Sequence, residues 1–406
     1  MTREFIDFFL THENEDTARL LLSASRYPSI DMPAAVQQIE GRRTAREKWP
    51  SLLACEEFLY PPRLNREQAS SETTAWHKVH VADELCGEDH FLSVADLTGG
   101  MGIDSIAFAQ RDKRIHPLRT QVLTHVDYVE RDKDLCALVN HNCQALELTN
   151  LDVHCGDSLQ WLASNDRKFD IIYIDPARRS KRGQKVSAFE DCEPNILTHM
   201  ELLRSRCRWL IVKASPMIDP TTAEQQLGDV AQIHIVSVKG ECKEVLFICG
   251  EHTGETVVHC VVHDRPGQFI NCDFTRSEEA SAEPHYCSAM GQYLYEPDAA
   301  LMKGGPYNLI CQWLGVEKLA RNTHLYTSNR FISNFYGRTF HVLQELKLNH
   351  KAVAEAIPSG RAHVVTRNYP TEAAALQRQL GLKEGGDVFV VATTVGTRPR
   401  AFLCTL

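Results

Sequence analysis

Val94-Ala-Asp-Leu-Thr-Gly-Gly-Met-Gly-Ile-Asp104 is the stretch that decides how this chain is read. A short apolar run ends on Asp96 and passes into a turn with Gly99, Gly100 and Gly102, where backbone can approach a ligand closely. The pattern predicts a strand delivering a carboxylate to a glycine loop, with a helix over about residues 105–110 behind it. The glycines do not fall as Gly-x-Gly-x-x-Gly, and no Gly-Lys-Ser/Thr follows, so neither the dinucleotide nor the phosphate-loop signature is present. Asp104 near the helix start would repel a phosphate, whereas Asp96 suits a cationic group. That balance favours S-adenosylmethionine (SAM), whose sulfonium and ammonium are positive.

Three downstream segments support this reading. Val122 to Glu130 predicts a second buried strand, and a carboxylate at its end, followed by Arg131-Asp132, suits two ribose hydroxyls. Asn150 to Asp157 predicts a short third strand that brings Asp157, with Ser158 beside it, to where an adenine amine would be accepted. Phe169 to Pro176 predicts a fourth strand ending on Asp175-Pro176, at the carboxyl edge where doubly wound sheets take ligands. An Asp at a strand end is often only the cap of the next helix. Four acidic strand ends in order point instead to one α/β sheet with a shared ligand edge.

With these residues the chain resembles class I SAM-dependent methyltransferases. Asp96 to Asp104, with Val129-Glu-Arg-Asp132 and Asn140-His-Asn142, looks most like the branch acting on RNA guanine, including the cap guanine-N2 type. The full chain is similar to a family with a helical N-terminal region, this core, a small ferredoxin-like insert and a C-terminal THUMP-like domain. The resemblance implies a doubly wound, Rossmann-like seven-stranded core. It also implies that Asp96, Thr98, Gly99, Gly100 and Gly102 line the methionine end of SAM, Glu130 and Arg131 the ribose, and Asp157 and Ser158 the adenine. Asp175 would then face both cofactor and acceptor.

Composition bounds the alternatives. A length of 406 residues suggests two to four domains. The hydrophobic fraction of 43% and charged fraction of 24% are those of an ordinary globular protein. No stretch approaches the roughly 20 apolar residues of a membrane span. The N-terminus places acids inside its apolar run and lacks a cleavage signature, so a cytoplasmic enzyme is expected. The 14 cysteines include no Cys-x-x-Cys pair and the 18 histidines no ligand spacing, so no metal is expected and the thiols read as reduced core residues. A net charge of -9 does not itself predict nucleic-acid binding, although an average hides patches.

Along the chain, residues 1–88 read as a helical region. A helix over Ser71 to Leu85 is expected to cover the SAM pocket, with Gln68, Ser70, Ser71 and Lys78 either facing it or simply solvated. The core spans 89–275. Its fifth strand is Arg208 to Ala214, its hairpin joins Gln232 to Val238 with Glu244 to Cys249, and an extra strand over Thr256 to His263 leads towards a loop at Ser277 to Glu283. Residues 276–329 resemble the ferredoxin-like module. Residues 330–406 resemble the THUMP-like α+β domain, with strands near 338–343, 362–367 and 387–394 and helices near 351–356 and 371–380. From Arg338 to Arg400 nine Lys/Arg face five Asp/Glu, an electrostatic footprint for RNA that a solvated surface would also produce.

The loop after the fourth strand chooses the acceptor. Methyltransferases acting on base amines commonly carry Asp/Asn-Pro-Pro-aromatic, the ring stacking on a flipped base. Here Asp175-Pro176-Ala177-Arg178 lacks the second proline and the aromatic, which weighs against guanine-N2 or adenine-N6 chemistry. Arg178, Arg179, Lys181 and Arg182 read as phosphate contacts or as partners of Glu190 and Asp191. A second constellation, Lys78, Asp175, Lys213 and Glu241 or Glu244, follows the chain order of the Lys-Asp-Lys-Glu set of ribose 2′-O-methyltransferases, an order that also arises by accident. The sequence therefore predicts a SAM-dependent methyltransferase of tRNA or rRNA, with Asp175, Pro176, Arg178 and Lys213 at the chemistry. The 2′-O enzyme and a non-catalytic SAM/RNA-binding module stand as alternatives.

Overall fold

The computed structural model describes residues 2–88, 90–115, 123–178, 189–265 and 268–406. Two compact units divide the chain: Met1–Ala231 with Val245–Thr253, and Gln232–Glu244 with Gly254–Leu406.

The first unit opens with helices α1 (Arg3–Thr11), α2 (Thr17–Leu22), α3 (Met32–Lys48), α4 (Arg63–Gln68) and α5 (Glu72–Cys86). Pro33 sits in the first turn of α3, where its missing N–H costs nothing, and Ser71 caps α5 by accepting from the Thr74 N–H. Strands β1 (Leu92–Asp96), β2 (Thr124–Glu130), β3 (Leu151–Cys155), β4 (Phe169–Ile174) and β5 (Cys207–Ala214) alternate with α6 (Ile103–Ala109), α7 (Arg111–Ile115), α8 (Lys133–Ala145), α9 (Ser158–Ser164) and α10 (Met200–Ser205). Helix α11 (Pro220–Leu227) precedes β6 (Val230–Val238), and a turn at Lys239-Gly240, both with positive φ, leads into β7 (Glu241–Cys249). Strand β1 pairs in parallel with β2 and β4, β2 with β3 and β4 with β5, while β7 runs antiparallel on β5. The order β7-β5-β4-β1-β2-β3 places the topological switch between β1 and β4, where the carboxyl ends diverge into a ligand crevice. Val94, Val126, Tyr128, Ile171, Tyr173, Ile211 and Leu246 form the core of this sheet. Trp49, Phe58 and Tyr60 from the helical region belong to the same buried cluster.

In the second unit, β6 pairs in parallel with β8 (Val257–Arg265), which forms an antiparallel pair with β9 (Gln268–Thr275). The stretch expected as a loop after it is instead the helix α12 (Arg276–Ser281). Thr275 accepts from the Glu278 N–H while Glu278 reaches back to the Thr275 N–H, a capping box that outweighs the polar composition. Next come β10 (Tyr293–Pro297), α13 (Ala299–Gly304), α14 (Leu309–Leu314), β11 (Glu317–Ala320), β12 (Thr323–Ser328), β13 (Gly337–Glu345), α15 (His350–Ala356), β14 (His363–Arg367), α16 (Ala373–Gln379), β15 (Phe389–Val395) and β16 (Arg398–Thr405). They build one seven-stranded sheet in the order β11-β12-β10-β13-β16-β15-β14, so both C-terminal modules share a single sheet. The closing strand β16 is not among the expected elements, because Arg398-Pro-Arg400 masks the apolar run behind it. All fourteen cysteines are free, and no described helix is long and apolar enough to cross a membrane.

The glycine loop is sterically dictated at one position above all. A Cβ on Gly99 would lie 2.1 Å from the Tyr128 ring, which is itself buried, whereas a Cβ on Gly156 would meet nothing within 4 Å. Gly99→Ala is therefore expected to destabilise the first unit by about 3 kcal/mol. Gly156→Ala should leave the urea midpoint close to wild type; equal midpoints for the two variants would refute the steric argument.

Candidate active site

Asp96 ends β1 with 1% of its surface exposed. Its Oδ1 accepts from the Thr98 N–H at 3.1 Å and its Oδ2 from the Ser105 hydroxyl at 2.6 Å, so one side chain fastens the loop to α6. Burial, then the nearby Asp104 and Asp175 charges, push its pKa up to about 7 against the opposing bonds from Ser105 and Thr98.

The loop itself is held from β2. Gly100 donates to Glu130 Oε2 at 3.0 Å, while Glu130 Oε1 accepts from the Arg131 and Asp132 N–H groups at 2.8 and 2.9 Å. Tyr128 donates its hydroxyl to the Gly100 carbonyl at 2.6 Å. Gly102 turns into α6 at φ +82, a conformation side chains resist. Asp157, exposed, caps α9 by accepting from the Gln160 N–H at 2.9 Å; Ser158 is the half-buried first residue of that helix. The guanidinium of Arg131 pairs with Glu193 at 2.6 Å.

A buried polar chain connects α5, the glycine loop and β5. Lys78 is fully buried, its Nζ 3.1 Å from Asp104 Oδ1 and 3.2 Å from Ser70 Oγ. Asp104 Oδ2 accepts from the hydroxyls of Ser70 at 2.8 Å and Tyr173 at 3.0 Å. Burial alone would raise the Asp104 carboxyl, but Lys78, then Lys213, and the Ser70 bond hold it below the usual carboxylate range. From the other side, Lys213 Nζ lies 3.4 Å from the same Ser70 Oγ and 2.6 Å from Asp175 Oδ2. The Asp175 N–H donates to Thr98 Oγ1 at 2.6 Å, closing the circuit to the loop. Two lysines thus flank one serine hydroxyl, each with its own carboxylate.

Of the sequence-predicted residues, Asp96, Thr98, Gly99, Gly100, Gly102, Glu130, Asp175 and Lys213 gather at the carboxyl ends of β1, β2, β4 and β5. Ser70 and Lys78 reach this network, while Ser71 serves as the α5 cap and Gln68 is exposed. Pro176 is buried, and Ala177–Arg178 forms a two-residue antiparallel pair with Cys192–Glu193. The Arg178 side chain, Arg179 and residues 180–182 lie outside the described residues. Glu241 is exposed and paired with Lys243 at 2.6 Å, and Glu244 is buried in the second unit. Asn142 bonds both backbone groups of Leu59, a structural role. Asp104 and Tyr173 are the members that sequence reasoning missed: Asp104 reads only as a charge hostile to phosphate, and nothing in the pattern marks it as the partner of Lys78. His125, Asp127 and Asp152 approach one another across β2 and β3, but Arg167 already grips both Asp127 oxygens at 2.8 and 2.6 Å.

Comparison with known proteins adds an independent line. Residues 293–335 match a ferredoxin-like domain model and residues 337–406 a THUMP domain-like model. Two Mycobacterium tuberculosis proteins, from strains CDC 1551 and H37Rv, both called uncharacterized S-adenosylmethionine-dependent methyltransferases, are 25% identical over 265 residues, 64% of this chain and 68% of each relative. A crystal structure from Porphyromonas gingivalis W83, provisionally called a methyltransferase, superposes with a TM-score of 0.82 at 28% identity, covering 99% of this chain and 97% of that one. The chain shares the fold of that protein, an α/β core followed by a smaller C-terminal sheet domain.

The raised pKa of Asp96 carries a sign. Its folded value of about 7 exceeds the ordinary 3.8, so the unfolded chain releases this proton first as pH rises. The stabilisation present at low pH is lost between about pH 4 and 7, by at most about 4 kcal/mol. Asp96→Asn can accept from Thr98 and donate to Ser105 without titrating. The unfolding free energy of wild type relative to Asp96→Asn should therefore fall across that window in urea titrations; parallel pH curves would rule the shift out.

Proposed function

We propose that this chain, an S-adenosylmethionine-dependent methyltransferase like its relatives, uses RNA as its acceptor. The observation that carries the proposal is the Asp175–Lys213 pair at 2.6 Å, at the ends of adjacent strands and tied through Thr98 to the glycine loop. The THUMP domain-like match supports RNA, as do Lys347, Lys351, Arg378, Lys383 and Arg398, all exposed in that domain. SAM would be held by the loop from Asp96 to Gly102, by Glu130 with Arg131, and by Asp157 with Ser158. Its sulfonium supplies an activated methyl group, so the chain's task is alignment and exclusion of competing nucleophiles. Lys213 holds the Asp175 carboxylate in place, and Asp175 accepts a hydrogen bond from the acceptor and orients it. Pro176 fixes the chain direction after Asp175, and the run from Arg178 and Arg179 to Arg182 contacts phosphate.

A hydroxyl acceptor, the ribose 2′-oxygen, is the second reading, and a specific contact favours it. Lys78 and Lys213 share Ser70 Oγ, and Lys213 also meets Asp175, so three members of the Lys-Asp-Lys-Glu set gather in space. In this reading Lys213, once its own proton has left to solvent, takes the hydroxyl proton while Asp175 orients the oxygen. The fourth member expected from sequence, Glu241 or Glu244, is not needed for this step.

Incubation with tritiated SAM and total RNA from a strain lacking the protein should transfer label to RNA. An alkali-resistant labelled dinucleotide would identify the 2′-oxygen, and a labelled base would exclude it while leaving RNA as the acceptor. Lys213→Met should lower transfer by about 10²-fold while calorimetric SAM affinity changes by less than about threefold. Glu130→Ala should abolish SAM binding. Label found only in protein or small-molecule fractions would overturn the RNA acceptor, and retained affinity in Glu130→Ala would overturn the placement of SAM.

A further inference from the structure

The second sheet presents an aromatic cluster that methyl transfer leaves unused. Tyr293 opens β10, and its direct cross-strand neighbour on β13 is His341, with ring centroids 5.6 Å apart. Phe331, following β12, brings its ring to 5.4 Å from Tyr293 and is 57% exposed. His341 is exposed as well. Further along the same face, Tyr295 is covered by Phe335 at 4.8 Å. On the other side, Leu403 and Val390 are buried with Val353 and Ile357 of α15 and Leu376 and Leu380 of α16. Between these two covered areas the three rings form an open window.

The charges around the window select its occupant. Arg330, adjacent to Phe331, is exposed, and so is Lys347 just beyond β13. The carboxylates of β10 and β13 are already compensated: Glu296 by Arg338 and Arg367, and Glu345 by Arg400. Flat π-faces next to the exposed Arg330 suit a polyanion with exposed rings better than an aliphatic helix face, for which the window offers Leu343. Duplex RNA keeps its bases stacked inside and cannot use such a surface.

We propose that Tyr293, Phe331 and His341 form a stacking platform for unpaired bases of single-stranded RNA, with Arg330 contacting the adjoining phosphate. The platform rests on the RNA reading above and names which form of RNA the C-terminal sheet holds. It takes bases of any sequence, because every base has a face to stack.

The test uses the full chain and a fluorescein-labelled single-stranded RNA of about twelve nucleotides, with the matching duplex as comparison. Wild type should bind the single strand more tightly than the duplex in anisotropy titrations. Phe331→Ala with His341→Ala should weaken the single strand by about tenfold or more with little change for the duplex. Phe331→Trp should keep the affinity, its fluorescence being quenched as bases stack, a signal that loss of folding would not produce. Calorimetric SAM affinity of the double variant reports that the first unit is intact. Unchanged single-strand affinity in the double variant, or no quenching in Phe331→Trp, overturns the platform while leaving the RNA reading standing, and the patch then reverts to a protein-contact surface. No binding of either RNA by wild type, together with no label transfer to RNA, overturns both.

Discussion

Charge neutrality around Asp104 is the constraint on which the site depends. A carboxylate and an ammonium taken out of water each cost several kcal/mol unless they meet, and breaking such a pair is worse than never having had it. Lys78 and Asp104 meet at 3.1 Å, one fully buried on α5, the other in the first turn of α6 where the helix dipole also favours an acid. Their pairing fixes α5 against the glycine loop, and Ser70 and Tyr173 donate to the other Asp104 oxygen. Asp96 shows what happens without such a partner. It is as deeply buried and, among the described residues, its bonds come from a hydroxyl and an amide rather than a cation, so its proton is retained far above the ordinary range. Two aspartates eight positions apart thus sit in opposite protonation regimes, separated by one lysine.

The strand ends were legible because each combines a short apolar run with an acid and a turn. Asp96, Glu130 and Asp175 could be placed at one sheet edge from sequence alone, and α5 within a residue or so of its observed bounds. The connections between them were not legible, because they are long-range. Lys78 meets Asp104 from another element, and Ser70 meets Lys213 across 143 positions. Nothing in local periodicity distinguishes a lysine that will be sealed beneath a loop from one that will be solvated. Local chemistry was also overlooked where composition pointed the other way: Thr275-x-x-Glu278 starts a helix within a polar stretch that reads as linker.

Sequence counting overstates the basicity of the C-terminal sheet. Glu296 lies outside the segment counted, yet it absorbs both Arg338 and Arg367 through register, since β10 pairs Glu296 with Arg338. Arg400 is matched to Glu345. The positive charge that remains available is confined to exposed side chains off this central pairing, such as Lys347 and Arg398. Local positive charge therefore has to be judged after the ion pairs are drawn, and it is this pruning that leaves Arg330 conspicuous beside Phe331.

Glu130 brings the fold and the proposed chemistry into direct competition. A carboxylate offers about four lone-pair positions, and here three are taken by the N–H groups of Gly100, Arg131 and Asp132. A ribose diol brings two donors, so accepting both leaves the carboxylate one position short. The Arg131 and Asp132 bonds are set by the turn that leads into α8, whose cap is Asp132. The Gly100 bond comes from the loop instead, at a glycine with φ +55 whose conformational freedom lets it turn away cheaply. On the proposed reading Glu130 would release Gly100 in order to hold both hydroxyls of a ribose, and a glycine at that position would serve this exchange as well as close approach.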